Sequence, residues 1–150
     1  MATLCFEAAY EDGVERLAAD VEAAAGREHG WADRLSAGLG AGLEFLADDP
    51  PLAHLLLVES LAAARPARLE YELSLARLAE ALRPPPAELP GGEVVSAETA
   101  RLLAGGLASH VSGRVLAGEV ERLREDHDLL LRYLLTPTSR PVERRSAERA

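Results

Sequence analysis

The 150-residue chain contains no Lys, no Asn, no Gln and no Ile, and a single Cys. All 16 basic side chains are therefore Arg, while Ala, Gly, Pro and Leu fill the remaining space, the usage that a very GC-rich genome imposes. Arguments from Ala content, or from Arg standing in place of Lys, carry little weight in such a chain. The lone Cys5 excludes an intramolecular disulfide and a Cys-based zinc site. Aromatics make up only 4% of the residues against 48% apolar, so Leu, Ala and Val must build the core. Long apolar runs are missing too. The uncharged stretch Leu102–Gly113 falls well short of the roughly 20 residues a bilayer span needs. The opening MATLCFEAAYED has neither a basic start nor an apolar core segment of the kind a secretory signal carries. A cytoplasmic protein without a membrane partner is the expectation.

What is present is acidic charge. The formal net charge is −9, and the tail from Thr136 holds four Arg against two Glu, which leaves the preceding body at about −11. Nucleic-acid binding needs a basic footprint to neutralise phosphates, so direct binding of DNA by this chain is not expected.

Periodicity gives an all-α fold of about six helices. Tyr10, Gly13, Val14, Leu17, Val21 and Ala24 recur at helical spacing over Leu4–Ala25, an amphipathic helix about 33 Å long that stops at the polar GREHG. A second helix spans Trp31–Ala47 with Leu35, Leu39, Leu43 and Leu46 as its buried stripe, and ends at DDPP. Its Gly38, Gly40 and Gly42 each cost roughly 0.5–1 kcal/mol in a helix interior. They are tolerated where something packs close, or where the helix need not be rigid. A third helix from Pro51 is apolar on most faces and so expected to be central. A fourth runs from Pro66 to about Arg83 with two apolar stripes, Leu69-Leu73-Ala76 and Tyr71-Leu75-Leu78-Leu82, which implies two burial partners. A proline-rich loop closed by Gly91-Gly92 follows. Ser96 then caps a fifth helix reaching about Leu116, and after a break at AGEVER a sixth covers Leu123–Leu135. Residues 136–150 are expected to form a disordered tail beyond a single domain over 1–135.

Three strings carry a family resemblance. CFEAAYEDGVERL (Cys5–Leu17), WADRLSAGLGAGLEFLADDPPLAHLLLVESLAA (Trp31–Ala63) and LLAGGLASHVSGRVLAGEVERL (Leu102–Leu123) resemble, in that order, segments of the C-terminal domain of TetR-family transcriptional regulators. The resemblance implies a ligand-sensing and dimerisation domain whose apolar or amphipathic effector modulates transcription. Family members carry a three-helix DNA-binding domain ahead of this point. A helix-turn-helix of about 45 residues is accordingly expected from the codons upstream of Met1. The alternative is a stand-alone helical module that pairs with a full-length regulator.

The same resemblance implies a mainly apolar pocket enclosed by the first five helices, with Leu39, Leu43, His54, Leu57, Glu59, Tyr71, Leu75, Leu107 and His110 as candidate lining. It also implies a homodimer seam built by the last two helices, with Gly106, Ser109, Gly113, Leu130, Tyr133 and Leu134 as candidates. Within these sets some roles stay open. Glu59 interrupts an apolar run and is either a pocket polar group or a helix-end carboxylate reaching Arg65 or solvent. His110 is either a pocket group or a satisfied surface histidine. Arg114, four residues on, is expected to pair with Glu119 or with a partner chain. The glycines Gly106 and Gly113 either admit a close helix or reflect codon usage. His29 falls in a loop, and His127 in REDHD reads as part of a solvated charged segment. No HExxH spacing and no GxSxG motif occurs. Neither an enzyme nor a cofactor or metal site is expected.

Overall fold

A computed structural model describes residues 2–63, 65–89 and 94–138. The expected Gly91-Gly92 closure and the tail from residue 139 lie outside the described residues. Among those described the fold is all helical: α1 (Ala2–Ala25), α2 (Trp31–Asp48), α3 (Pro50–His54), a π-helical turn (Leu55–Glu59), α4 (Ser60–Ala62), α5 (Arg65–Ala81), α6 (Ala97–Leu116) and α7 (His127–Leu135). Short 3-10 turns occupy Pro86–Glu88, Val120–Arg124 and Thr136–Thr138. No described helix is long and apolar enough to cross a membrane.

The glycines of α2 have a packing reason. A Cβ at Gly38 would stand 3.3 Å from Val21 Cγ1, and one at Gly42 would stand 3.4 Å from Val21 Cγ2. Their absence lets α2 lie close and antiparallel against α1. Asp49 caps α3 by accepting from the Leu52 amide at 3.0 Å, with Pro50 and Pro51 in the first turn where no amide is needed. Ser96 caps α6 through the Thr99 amide at 3.1 Å. Trp31 ties the start of α2 to distant chain: its amide donates to Glu88 Oε2 at 2.6 Å and its indole to the Ala81 carbonyl at 3.2 Å.

The third predicted helix is not one α-helix. Ser60 Oγ donates to the Leu56 carbonyl at 2.6 Å, while the Ser60 amide bonds the Leu55 carbonyl five residues back. The hydroxyl thus takes the acceptor an α-helical amide would use, and the backbone widens into a π-turn. This segment is less central than its composition suggests. Ala53, Leu56 and Ser60 are buried, but His54, Glu59 and Leu61 face outward.

The core gathers Tyr10, Leu43, Leu46, Leu56, Leu82, Leu103, Leu107, Leu123, Leu130 and Leu134. Of the two stripes on α5, Tyr71, Leu75, Leu78 and Leu82 join it, whereas Leu69 and Leu73 stay 55% and 43% exposed. The expected second burial partner is absent from the described chain. The last helix starts at His127, not Leu123, because Gly118 at φ +72° ends α6 and a 3-10 turn then drives Val120 and Leu123 into the core. Thr136–Thr138 forms a short 3-10 turn. Thr136 Oγ1 donates to the Arg132 carbonyl at 3.0 Å and Thr138 Oγ1 to that of Leu135 at 2.7 Å, which satisfies the last carbonyls of α7.

His127 is not part of a solvated segment. Its Nε2 lies 3.0 Å from the Ser36 carbonyl of α2, and its Nδ1 lies 3.1 Å from Asp128 Oδ1. An acceptor at each ring nitrogen favours the doubly protonated ring, and the Ser36 carbonyl chiefly raises its pKa above the ordinary value. A raised folded pKa stabilises fully below the unfolded value of about 6.5 and loses that contribution as pH rises through the folded one. The melting temperature should therefore fall between pH 6 and pH 8 by more in the wild type than in His127→Gln. Thermal unfolding at both pH values checks this, and an identical pH response in the two proteins would contradict it.

Candidate functional site

Helix α6 has two contrasting faces. Ala100, Leu103, Ala104, Leu107, Val111 and Val115 point into the core. On the opposite side Leu102, Gly106, Ser109, Gly113 and Leu116 form a stripe at helical spacing, with Leu102 76% and Leu116 67% exposed. Neighbouring α7 exposes Leu129 and Tyr133.

The candidate interior residues divide into three groups. Leu43 and Leu107 belong to the buried core, and Leu39, Leu57, Tyr71 and Leu75 pack against it half-buried. These six come together. His54 and Glu59 do not join them: they are about half exposed and pair with each other on the surface, Nδ1 to Oε1 at 3.1 Å. The π-turn between them explains this, since five residues on a regular α-helix would face different directions. His110 lies at the edge of the core, in a polar cluster described below.

The seam candidates divide as well. Leu130 and Leu134 are 3% and 2% exposed, so they serve the chain's own core and are unavailable to a partner. In a nine-residue helix the inward face falls on just these positions, and the exposed apolar residues are Leu129 and Tyr133 instead. Gly106 has an intramolecular reason to be glycine: a Cβ there would collide with the Tyr133 phenol, which donates to the Leu102 carbonyl at 3.2 Å. Ser109 and Gly113 are exposed, and around the Cβ position of Gly113 no described atom lies within 4 Å.

Where α6 meets the start of α7 stands a buried charge cluster. Asp126 is 6% exposed. Arg114 grips it with both edges of its fork, Nε to Oδ2 at 2.8 Å and Nη2 to Oδ1 at 2.9 Å. His110 Nε2 approaches the same Oδ2 at 2.8 Å. The remaining Arg114 nitrogen, Nη1, donates to Glu119 Oε2 at 2.5 Å, and Arg122 reaches Oε1 of that carboxylate at 3.3 Å. The expected Arg114–Glu119 pair is thus present, but the inner partner is Asp126. Arg114, reinforced by His110, holds the Asp126 carboxyl down at about 2 against the burial that opposes it. Arg114 likewise lowers the Glu119 carboxyl below its ordinary value. A few residues on, Arg124 binds Glu44 at 2.9 Å and also Asp48, tying this corner to α2.

Sequence reasoning did not single out Asp126, whose place in REDHD gives no periodic signal. Among the described residues no group of three His, Cys, Asp or Glu could hold a metal ion. Comparison with protein-family models, with curated proteins and with solved structures finds no match for the chain.

Removing Arg114 leaves the buried Asp126 carboxylate with His110 as its remaining side-chain partner. Arg114→Ala should lower the unfolding temperature, because the two-pronged partner of a buried carboxylate is lost. Asp126 also sets an acid limb. Its folded pKa is depressed, so its contribution is present above the unfolded value near 4 and is lost as pH falls towards about 2. Urea unfolding from pH 5 to pH 2 should show a larger loss in the wild type than in Asp126→Asn, which keeps only the smaller Glu119 contribution. A variant with an unchanged acid limb would show that the cluster contributes nothing.

Proposed function

We propose that the chain is the ligand-sensing and dimerisation module of a TetR-like transcriptional regulator, with an apolar or amphipathic small molecule as its effector and a second copy of itself as its partner. The observation that carries the dimer is the outer stripe of α6. It reads Leu102-Gly106-Ser109-Gly113-Leu116, almost palindromic about Ser109. Antiparallel pairing across a two-fold axis at Ser109 brings Leu102 against the partner's Leu116, and Gly106 against the partner's Gly113. Tyr133 stands over Gly106 as a knob, and Gly113 offers an open notch to receive it. Two chains of net charge −9 repel one another over most of their surface, and this stripe carries no charge.

The sensing half of the reading rests on the interior. Leu43 and Leu107 lie in the apolar core and Leu39, Leu57, Tyr71 and Leu75 pack against it, so that α2, the π-turn, α5 and α6 all contribute. A ligand held there would bias the spacing of DNA-binding heads joined to α1, as population shift between two states requires. With its acidic body this chain by itself is expected to leave duplex DNA alone.

Size-exclusion chromatography with light scattering tests the partner. At tens of micromolar the mass should be twice the 16.0 kDa of the chain. Gly113→Glu meets no neighbouring atom in its own chain, so it should leave the fold intact and yield a monomer. A wild type that stays monomeric, or a Gly113→Glu protein that remains dimeric, would remove the stripe from the interface.

A further inference from the structure

An open cavity of about 490 Å3 lies where α6 ends beside α3. Pro50, Val115 and Val120 give it an apolar lining, and His54, Glu119, Glu121 and Arg122 a polar one. Most of these polar groups are already engaged. Glu119 is held by Arg114 and Arg122, and His54 turns its Nδ1 to Glu59. Glu121 is different: it is exposed and forms no ion pair with any described residue. One acid is thus left over beside apolar side chains, at the end of a helix whose dipole also favours a cation.

The opposite end of α6 carries the complementary charge. Arg101 is exposed and likewise pairs with no described acid. It precedes Ser109 by eight residues, about 12 Å along the helix. Antiparallel pairing about Ser109 therefore sets it against the partner's Ala117, the residue just before Gly118 and the cavity. The flank agrees as well as the height. At about 100° per residue, Arg101 falls on the side of α6 that carries Ala108, Ser112 and Val115. Ser112 marks that side as the one facing the π-turn, since it donates to the Leu57 carbonyl at 3.5 Å, and the cavity opens there beside Val115. A two-fold axis running between two antiparallel helices, perpendicular to both, keeps like flanks on the same side. Each Arg101 is thereby carried to the partner's cavity and not to the far flank. Its flat fork of donors matches a carboxylate, and a guanidinium, being weakly hydrated, leaves water beside Pro50 and Val120 at lower cost than an ammonium.

We propose that this cavity receives Arg101 of the partner subunit, which pairs with Glu121, and that the contact, made twice about the two-fold axis, fixes the antiparallel register. This rests on the dimer proposed above and names the polar contact that its uncharged stripe lacks. Sliding one copy by a helical turn would still lay Leu and Gly side by side, but it would part both charge pairs by about 5.4 Å.

Arg101→Glu and Glu121→Arg test this in the full chain. Neither native side chain is held within its own chain, so both variants should keep the wild-type circular dichroism. Each alone sets like charges together at both ends of the seam. Sedimentation velocity at about 50 mM salt, where screening is modest, should show a dimer dissociation constant raised about tenfold or more. An equimolar mixture of the two variants restores opposite charges at both ends. The new acid meets the new base at one end, and native Arg101 meets native Glu121 at the other. The mixture should therefore dimerise within about threefold of the wild-type affinity, a gain that a defect inside either chain would not produce. Single variants that dimerise as tightly as the wild type, or a mixture no tighter than its components, would overturn the Arg101–Glu121 contact while leaving the α6 seam standing. A wild type that is monomeric at tens of micromolar would remove the seam and this contact with it.

Discussion

A single buried carboxylate governs how the last third of this chain is arranged. Asp126 cannot be placed in the interior without a cation, and Arg114 is the cation that reaches it. Their two-pronged bond fixes the angle at which the chain returns after α6, and so decides which face of α7 meets the core. Leu130 and Leu134 go inward as a consequence, and Leu129 and Tyr133 are left outside. The same bond takes up the carboxylate that would otherwise cap α7. That helix accordingly begins without a side-chain cap and leans on His127 and α2 instead. Arg124, one turn away, adds a second tie to α2. Replacing such a pair with apolar residues of like volume often costs little in stability. Its contribution here is geometric, a defined turn between two helices whose outer faces form one surface.

Much of the fold was legible in the sequence, because Leu and Ala at helical spacing leave few alternatives. The helix of Trp31–Asp48, the Ser96 cap and the break near Gly118 follow directly from spacing and from the local chemistry of caps and glycine. The positions of charged and hydroxyl side chains were less legible. REDHD reads as solvent-facing because nothing local distinguishes Asp126 from its neighbours, and burial is conferred by an arginine twelve residues earlier. The π-turn was hidden for the same kind of reason. Ser60 can cap, turn or bond backwards, and only the surrounding packing selects the bond to Leu56 that swings His54 and Glu59 to the surface.

The candidate site was legible in part. Leu39, Leu43, Leu57, Tyr71, Leu75 and Leu107, which the resemblance implied as pocket lining, lie in the core or packed against it. The seam residues were harder. On a short helix such as α7, inward and outward apolar faces have the same composition, and only the turn set by Asp126 tells them apart. Gly106 and Gly113 look alike in sequence yet serve opposite purposes, one lying beneath Tyr133 and the other open.

The central claim is that two copies meet through α6 in antiparallel register about Ser109. Register, beyond mere association, is read most directly by an inter-subunit distance. With Cys5→Ser as background, a spin label at Ser109→Cys would sit beside its own copy across the axis. Helices in contact lie about 8–10 Å apart, so double electron–electron resonance or line broadening should report a single distance below about 20 Å. A dimer in which that distance is long or broadly distributed would contradict the proposed register.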